Sequence, residues 1–148
     1  MIEVKAATEI DASAEAVWSV LTAFEQFKAW NPFIRDARGT TEVGGEVQVQ
    51  VRTSLGIPLA FHAKVLSRAD NRELHWLGHV AAPWLASGEH WFTIEPIDEH
   101  RVRFVQRETF SGLLPWLGAR LLRREAKRGF EAMNHALEAR VLEGEAST

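Results

Sequence analysis

His90, Gln106 and Glu108 are the residues whose types and spacing could do chemistry together. They lie in two segments, one with His90, Phe92 and Ile94 at every second position, the other with Phe104, Gln106, Glu108 and Phe110. Period-two spacing marks strands with one buried face. Residues directly opposed in an antiparallel pair point to the same face. A turn of three residues, Asp98, Glu99 and His100, sets Ile94 opposite Phe104, Phe92 opposite Gln106 and His90 opposite Glu108. The alternation that turns Phe92 and Phe104 inward therefore turns His90, Gln106 and Glu108 inward as well. An unpaired buried charge is costly, whereas His and Glu can share a hydrogen bond. Such a pair has two uses. It ties two strands together, or it orients a carbonyl or hydroxyl of an otherwise apolar ligand, with Glu108 and His90 moving a proton as general acid and base if the chain is an enzyme.

Other chemistry has less behind it. With no cysteine there is no disulfide, thiolate metal site or cysteine nucleophile, and with no tyrosine there is no phenol to act as an acid. His75 and His79 stand four apart, but they flank Trp76-Leu77-Gly78 in strand-like sequence and no H-E-x-x-H occurs, so no metal site is expected. Neither G-x-x-x-x-G-K-[ST] nor G-x-G-x-x-G appears, and G-x-S-x-G is missing, so no cofactor and no acyl-enzyme are expected. A formal charge of -3 and a pI near 6.1 give no global basic field, which argues against nucleic acid as a partner. The one concentration of charge is Arg120, Arg123, Arg124, Lys127 and Arg128. It forms a solvated helix face, or it attracts anionic headgroups or an acidic ligand. Two segments nearly repeat, Ala82-Pro83-Trp84-Leu85 and Leu114-Pro115-Trp116-Leu117. Their tryptophans are either core or a partly exposed cavity mouth, membrane-touching edge or dimer contact.

The elements that must position these groups follow from periodicity. Ile2 to Ile10 alternate as a first strand, and Asp11 and Ser13 offer caps for a helix starting near Ala14. A second helical piece runs from Glu25 to the break at Asn31-Pro32. Alternation then continues to Gly112 through Val47-Val49-Val51, Phe61-Ala63-Val65 and Leu74-Trp76-Gly78, with turns at Gly44-Gly45 and Asp70-Asn71, as in an antiparallel meander. From Pro115 onward Ala119, Leu122, Ala126, Phe130, Met133, Leu137 and Val141 form one apolar helical stripe. Sheet and helix must cover each other. Ala126 and the nearby Gly129 are small and leave space between them. One domain, 1–148, is expected, with a frayed tail over 143–148. No stretch approaches the ~20 apolar residues that span a bilayer and nothing reads as a leader, so the cytoplasm is the expected location.

Particular residues carry a resemblance: Val17-Trp18 with Leu21, Trp30-Asn31-Pro32-Phe33-Ile34, His90-Trp91-Phe92 with Pro96, Glu108-Thr109-Phe110-Ser111-Gly112, and Phe130-Glu131-Ala132-Met133-Asn134. In order and spacing the chain resembles the START-like (SRPBCC) superfamily, in its polyketide cyclase/dehydrase and lipid transport branch. The resemblance implies an α+β helix-grip fold of the Bet v 1 type: a seven-stranded curved antiparallel sheet around a long C-terminal helix, with two short helices between the first two strands. It also implies an internal cavity for a lipid, polyketide-like or isoprenoid-like molecule. The expected lining is Trp30, Phe33, Val49, Val51, Phe61, Val65, Trp76, His90, Phe92, Gln106, Glu108, Phe110, Phe130, Met133 and Leu137. Trp30 and Phe33 are expected to narrow the entrance. A carrier or sensor of a hydrophobic small molecule is the first functional expectation. A cofactor-independent cyclase, dehydratase or isomerase using His90 and Glu108, and a protein-partner module, are the alternatives. Stable membrane anchoring is not expected, while a transient membrane contact and a homodimer both fit.

Overall fold

A computed structural model describes residues 1–146. Its elements are β1 (Ile2–Ile10), α1 (Ala14–Thr22), a 3-10 turn (Phe24–Gln26), α2 (Phe27–Trp30), β2 (Ile34–Gly39), β3 (Glu46–Arg52), β4 (Pro58–Ala69), β5 (Glu73–His79), β6 (Ser87–Asp98), β7 (Arg101–Ser111), α3 (Leu113–Leu117) and α4 (Ala119–Ala146). The seven strands form one antiparallel sheet in the order β1-β7-β6-β5-β4-β3-β2, curled around α4.

Local chemistry sets the boundaries. Ser13 Oγ accepts from the Ala16 amide at 3.2 Å and starts α1. Asn31, held extended before Pro32, ends α2, and its Oδ1 accepts from the amides of Phe33 at 3.0 Å and Ile34 at 2.8 Å. Gly44 (φ 84°) and Asn71 (φ 65°) take the left-handed conformations that their hairpin turns require.

Three sequence expectations change. The β6–β7 turn is a two-residue link, Glu99-His100, with a bulge at Ile97 between Pro96 and Asp98. The extra unpaired residue keeps the parity of a three-residue loop, so the expected pairing survives a different turn. The final helix is two pieces: Leu113–Leu117 stops at Gly118, and the long helix starts at Ala119 rather than Pro115. α4 runs to Ala146, through the first four residues of the expected tail, and the remainder of that tail lies outside the described residues. Finally, Gly129 faces no empty space. A Cβ there would stand 2.3 Å from Phe33 Cδ1, because the Phe33 ring already lies against the helix.

The inner face of the sheet and one stripe of α4 make the core. Ile10, Leu74, Ile94 and Phe104 from the sheet meet Met133, Leu137 and Val141 from α4, with Val17, Leu21, Phe24 and Phe27 packed onto the same cluster. A second cluster joins Ile2, Val4 and Ala6 to Ala126 and Phe130. Arg123 and Lys127 reach from α4 across to β1, donating to the backbone carbonyls of Glu3 at 3.3 Å and of Lys5. Among the described residues no helix is long and apolar enough to cross a membrane.

Gly129→Leu is expected to lower the free energy of unfolding by about 1–3 kcal/mol through overpacking against Phe33, although Leu is the better helix former. A denaturant midpoint measures it. A midpoint equal to or above the parent's would show that the ring yields freely.

Candidate functional site

A cavity of about 280 Å³ opens between the sheet, α3 and the first turns of α4. It lies where β3 and β7 end and where β4 and β6 begin. One cross-strand row explains why the sheet is low there: Ala63 pairs with Gly78, Gly78 with Gly88, and Gly88 with Phe110. Three successive strands thus carry little or no side chain on the inner face. Neighbours lie down over the glycines. A Cβ on Gly78 would stand 2.8 Å from Phe61 Cδ2, and one on Gly88 would stand 2.1 Å from Glu108 Oε2. The wall is mostly apolar, and its polar side chains are Thr53, His79, Ser87, His90, Glu108 and Glu125.

His90 and Glu108 face each other across β6 and β7, and Phe92 faces Gln106, as the strand parity requires. His90 Nδ1 is 2.9 Å from Glu108 Oε1, and His90 Nε2 is 3.0 Å from Gln106 Oε1. Gln106 Nε2 donates to Asn134 Oδ1 at 2.8 Å and toward the Phe130 carbonyl at 3.4 Å. That carbonyl can only accept, which assigns the amide nitrogen of Gln106 to the helix side and its oxygen to His90. His90 Nε2 is therefore a donor. Its Nδ1 either donates to a Glu108 carboxylate or accepts from a carboxylic acid, so one proton is held between the two side chains in both forms. The imidazole is fixed by stacking on Phe92, 4.0 Å between centroids at 18°, and by the edge-to-face contact with Phe130 at 5.0 Å. His90, Gln106 and Asn134 are 3%, 0% and 2% exposed, whereas Glu108 at 9% borders the cavity. The arrangement can offer a ligand one hydrogen-bonding group, pinned from behind, in an apolar wall.

Of the residues expected to line the cavity, Phe33, Val51, Phe61, Trp76, His90, Glu108 and Phe110 do so. Val49, Val65, Phe92, Phe130, Met133 and Leu137 do not line it and belong to the buried core clusters instead. Gln106 sits behind His90 and reaches α4 rather than the opening. Trp30 is not at the mouth either. Its ring packs edge-on against Phe27 at 5.2 Å, and its buried Nε1 has no hydrogen-bond partner among the described residues. Of the two residues expected to narrow the entrance, Phe33 lines the cavity. His75 and His79 do not converge on a site: the His75 ring stacks on Trp91 at 4.4 Å and its Nε2 pairs with Glu89 at 2.8 Å.

Sequence reasoning missed two groups. Asn134 was visible as a polar residue one step from Met133 inside an apolar stripe, the mark of an inward hydrogen bond. Nothing in the chain marked the link between Ser54 and Glu125, which are distant in sequence. The Glu125 carboxylate accepts from the Ser54 amide at 3.0 Å and from its hydroxyl at 2.8 and 2.7 Å, holding the β3–β4 hairpin to α4 at the mouth. The Ser54 hydroxyl and then its amide hold the Glu125 carboxyl below the usual carboxylate range, helped by Arg128 and Arg124.

Comparison with known proteins bears on the fold and on the family. The sequence profile of the polyketide cyclase / dehydrase and lipid transport family matches residues 1–142. No curated relative matches the chain in sequence. Solved structures do match in fold. A START superfamily protein from Mycobacterium smegmatis is 23% identical, with a TM-score of 0.77 over 95% of this chain and 97% of that one. The ZhuI aromatase/cyclase from Streptomyces sp. R1128 is 17% identical, with a TM-score of 0.78 over 94% and 92%. A Thalictrum norcoclaurine synthase point mutant, solved with a transition-state analogue, is 12% identical, with a TM-score of 0.73 over 97% and 95%.

The lowered Glu125 carboxyl means that the Ser54 latch is fully present above the ordinary carboxylate range and is lost as pH falls through the depressed value. Ser54→Ala, which removes the largest of these causes, is expected to move the Glu125 titration up toward the ordinary range, read by carboxyl carbon NMR. An unchanged titration would mean that the latch does not persist in solution.

Proposed function

We propose, from the premise that this chain belongs to the polyketide cyclase / dehydrase and lipid transport family, that it binds a small hydrophobic molecule in its cavity as a carrier or sensor. The observation that carries this reading is an apolar hollow in which the Glu108 carboxyl stands beside the ligand space while His90 holds its other oxygen. Apolar walls with a few placed polar groups are the general form of small-molecule sites. The preferred ligand is then a mostly hydrocarbon body with one hydroxyl or carbonyl near Glu108. The partner-module reading has less support, because the exposed indoles of Trp84 and Trp116 stand near an open cavity rather than over a closed core.

A second reading rests on the proton shared by His90 and Glu108. A carboxyl that borders the cavity and shares a hydrogen bond with a fixed imidazole is equipped for general acid–base work on a bound carbonyl or hydroxyl, as in a cyclase, dehydratase or isomerase without a cofactor.

Mass spectrometry of the folded protein, purified without detergent, is expected to show a retained hydrophobic metabolite. Glu108→Gln keeps the shape and can still hydrogen-bond His90 Nδ1, so under the carrier reading it retains the same ligand, with affinity lowered by about tenfold at most. If the variant binds as the parent does while a turnover measurable in the parent disappears, the enzyme reading replaces the carrier. Absence of any retained or titratable apolar ligand would defeat both.

A further inference from the structure

Apolar side chains that nothing in the fold covers gather around the mouth of the cavity. Trp84 and Trp116 are 70% and 74% exposed, and Leu117, Leu55 and Ile57 are exposed at 66%, 66% and 60%. They come from three segments held together. The Leu113 amide donates to the Trp84 carbonyl at 3.0 Å and the Leu114 amide to the Leu85 carbonyl at 2.9 Å, which joins α3 to the β5–β6 loop. The hairpin tip carrying Leu55 and Ile57 is brought to the same opening by the Ser54–Glu125 hydrogen bonds. Beyond α3, at the start of α4, stand Arg120 and Arg124, with Arg128 one turn further on. All three are exposed and enter no salt bridge among the described residues, while Arg123 and Lys127 of the same cluster are engaged on β1.

We infer that this rim docks on an anionic lipid bilayer, with Trp84, Trp116 and Leu117 entering the interface and Arg120, Arg124 and Arg128 meeting headgroup phosphates. Indoles settle at the boundary between hydrocarbon and water, where one end is apolar and the other wet. Each cation near an anionic surface adds roughly 1 kcal/mol of attraction, and the apolar side chains add the burial that charge alone cannot supply. The net charge of -3 makes this a matter of local arrangement, since the whole chain would be repelled. The charges also decide against the main competing occupant. A second copy on this face would bring a second set of the same exposed arginines into one buried interface. A bilayer presents the opposite sign. The inference extends the binding reading to the face through which a ligand enters, and it stands or falls without any ligand.

The test uses the full chain with vesicles of phosphatidylcholine and of phosphatidylcholine mixed with phosphatidylglycerol, read by co-sedimentation. Binding to the mixed vesicles, weakened by added salt, is expected, with little binding to phosphatidylcholine alone. Arg120→Glu with Arg124→Glu is expected to lower the partition by roughly tenfold or more. Trp84→Ala with Trp116→Ala is expected to lower it by a similar factor, and both variants should keep the parent's thermal midpoint because the positions are exposed. Failure of the parent to sediment with the mixed vesicles overturns the inference, as does binding by either variant equal to the parent's. So does a dimer, seen by sedimentation velocity, that Trp84→Ala with Trp116→Ala dissolves. Ligand retention in native mass spectrometry is read separately, so loss of the docking surface and loss of the binding site are distinguishable.

Discussion

A slip of one residue between β6 and β7 would turn one strand over against the other, parting His90 from Gln106 and Glu108 and carrying Trp91 or Arg107 into the core. The candidate site therefore hangs on that register. The bulge at Ile97 sets its parity, and the inner and outer residues then hold it from both sides. Inside, Phe92 and Phe104 are buried, and the polar groups between them satisfy one another through to Asn134 on α4. Outside, Arg107 lies 3.8 Å over Trp91, which stacks in turn on His75. Because Gln106 bonds both Asn134 and the Phe130 carbonyl, the same register fixes where α4 sits along the sheet. Among the described residues Asn134 Nδ2, at the end of this network, and Asn31 Nδ2 and Trp30 Nε1 have no hydrogen-bond partner, so polar satisfaction of the core is incomplete.

With the helix placed, side-chain size decides which part of the interface is hollow. Where Leu74, Phe92, Ile94 and Phe104 face Met133, Leu137 and Val141, large groups fill the space. Where Ala63, Gly78 and Gly88 form the inner row and Ala126 faces them, they cannot. Glu108 stands at the boundary between these regions. Its one oxygen is bound by the filled side and its other lies over Gly88, which admits it only because no Cβ is there. The carboxyl is thus held by core packing and presented to the open end.

The fold was legible because its signals were periodic. Alternation located β1 and β3 to β7, and the stripe on α4 named its buried positions, while β2 escaped because the bulge between Ile34 and Asp36 breaks the period. Parity also placed His90 against Glu108 without knowledge of the turn. Parity says which face a residue is on, however, and not whether that face has filled space above it. Val49, Val65, Phe92 and Phe130 point inward as read and still do not touch the cavity. Finding the hollow needed the cross-strand alignment of Ala63, Gly78 and Gly88, which a single chain does not display. The Ser54–Glu125 latch depends on where a hairpin tip meets a helix, and no local pattern encodes that.

A curled sheet that does not close leaves two free edges, each a row of backbone groups able to recruit a strand from another molecule. This chain blunts them differently. At β1 the carbonyls of Glu3 and Lys5 are already occupied by Arg123 and Lys127, so an incoming strand would have to displace two cations and strip their water. At β2 the edge is short, bulged and studded with Arg35, Asp36 and Arg38. The consequence is resistance to aggregation: a molecule with an apolar rim can keep that rim exposed in a crowded solution because neither of its edges offers a template for polymerising.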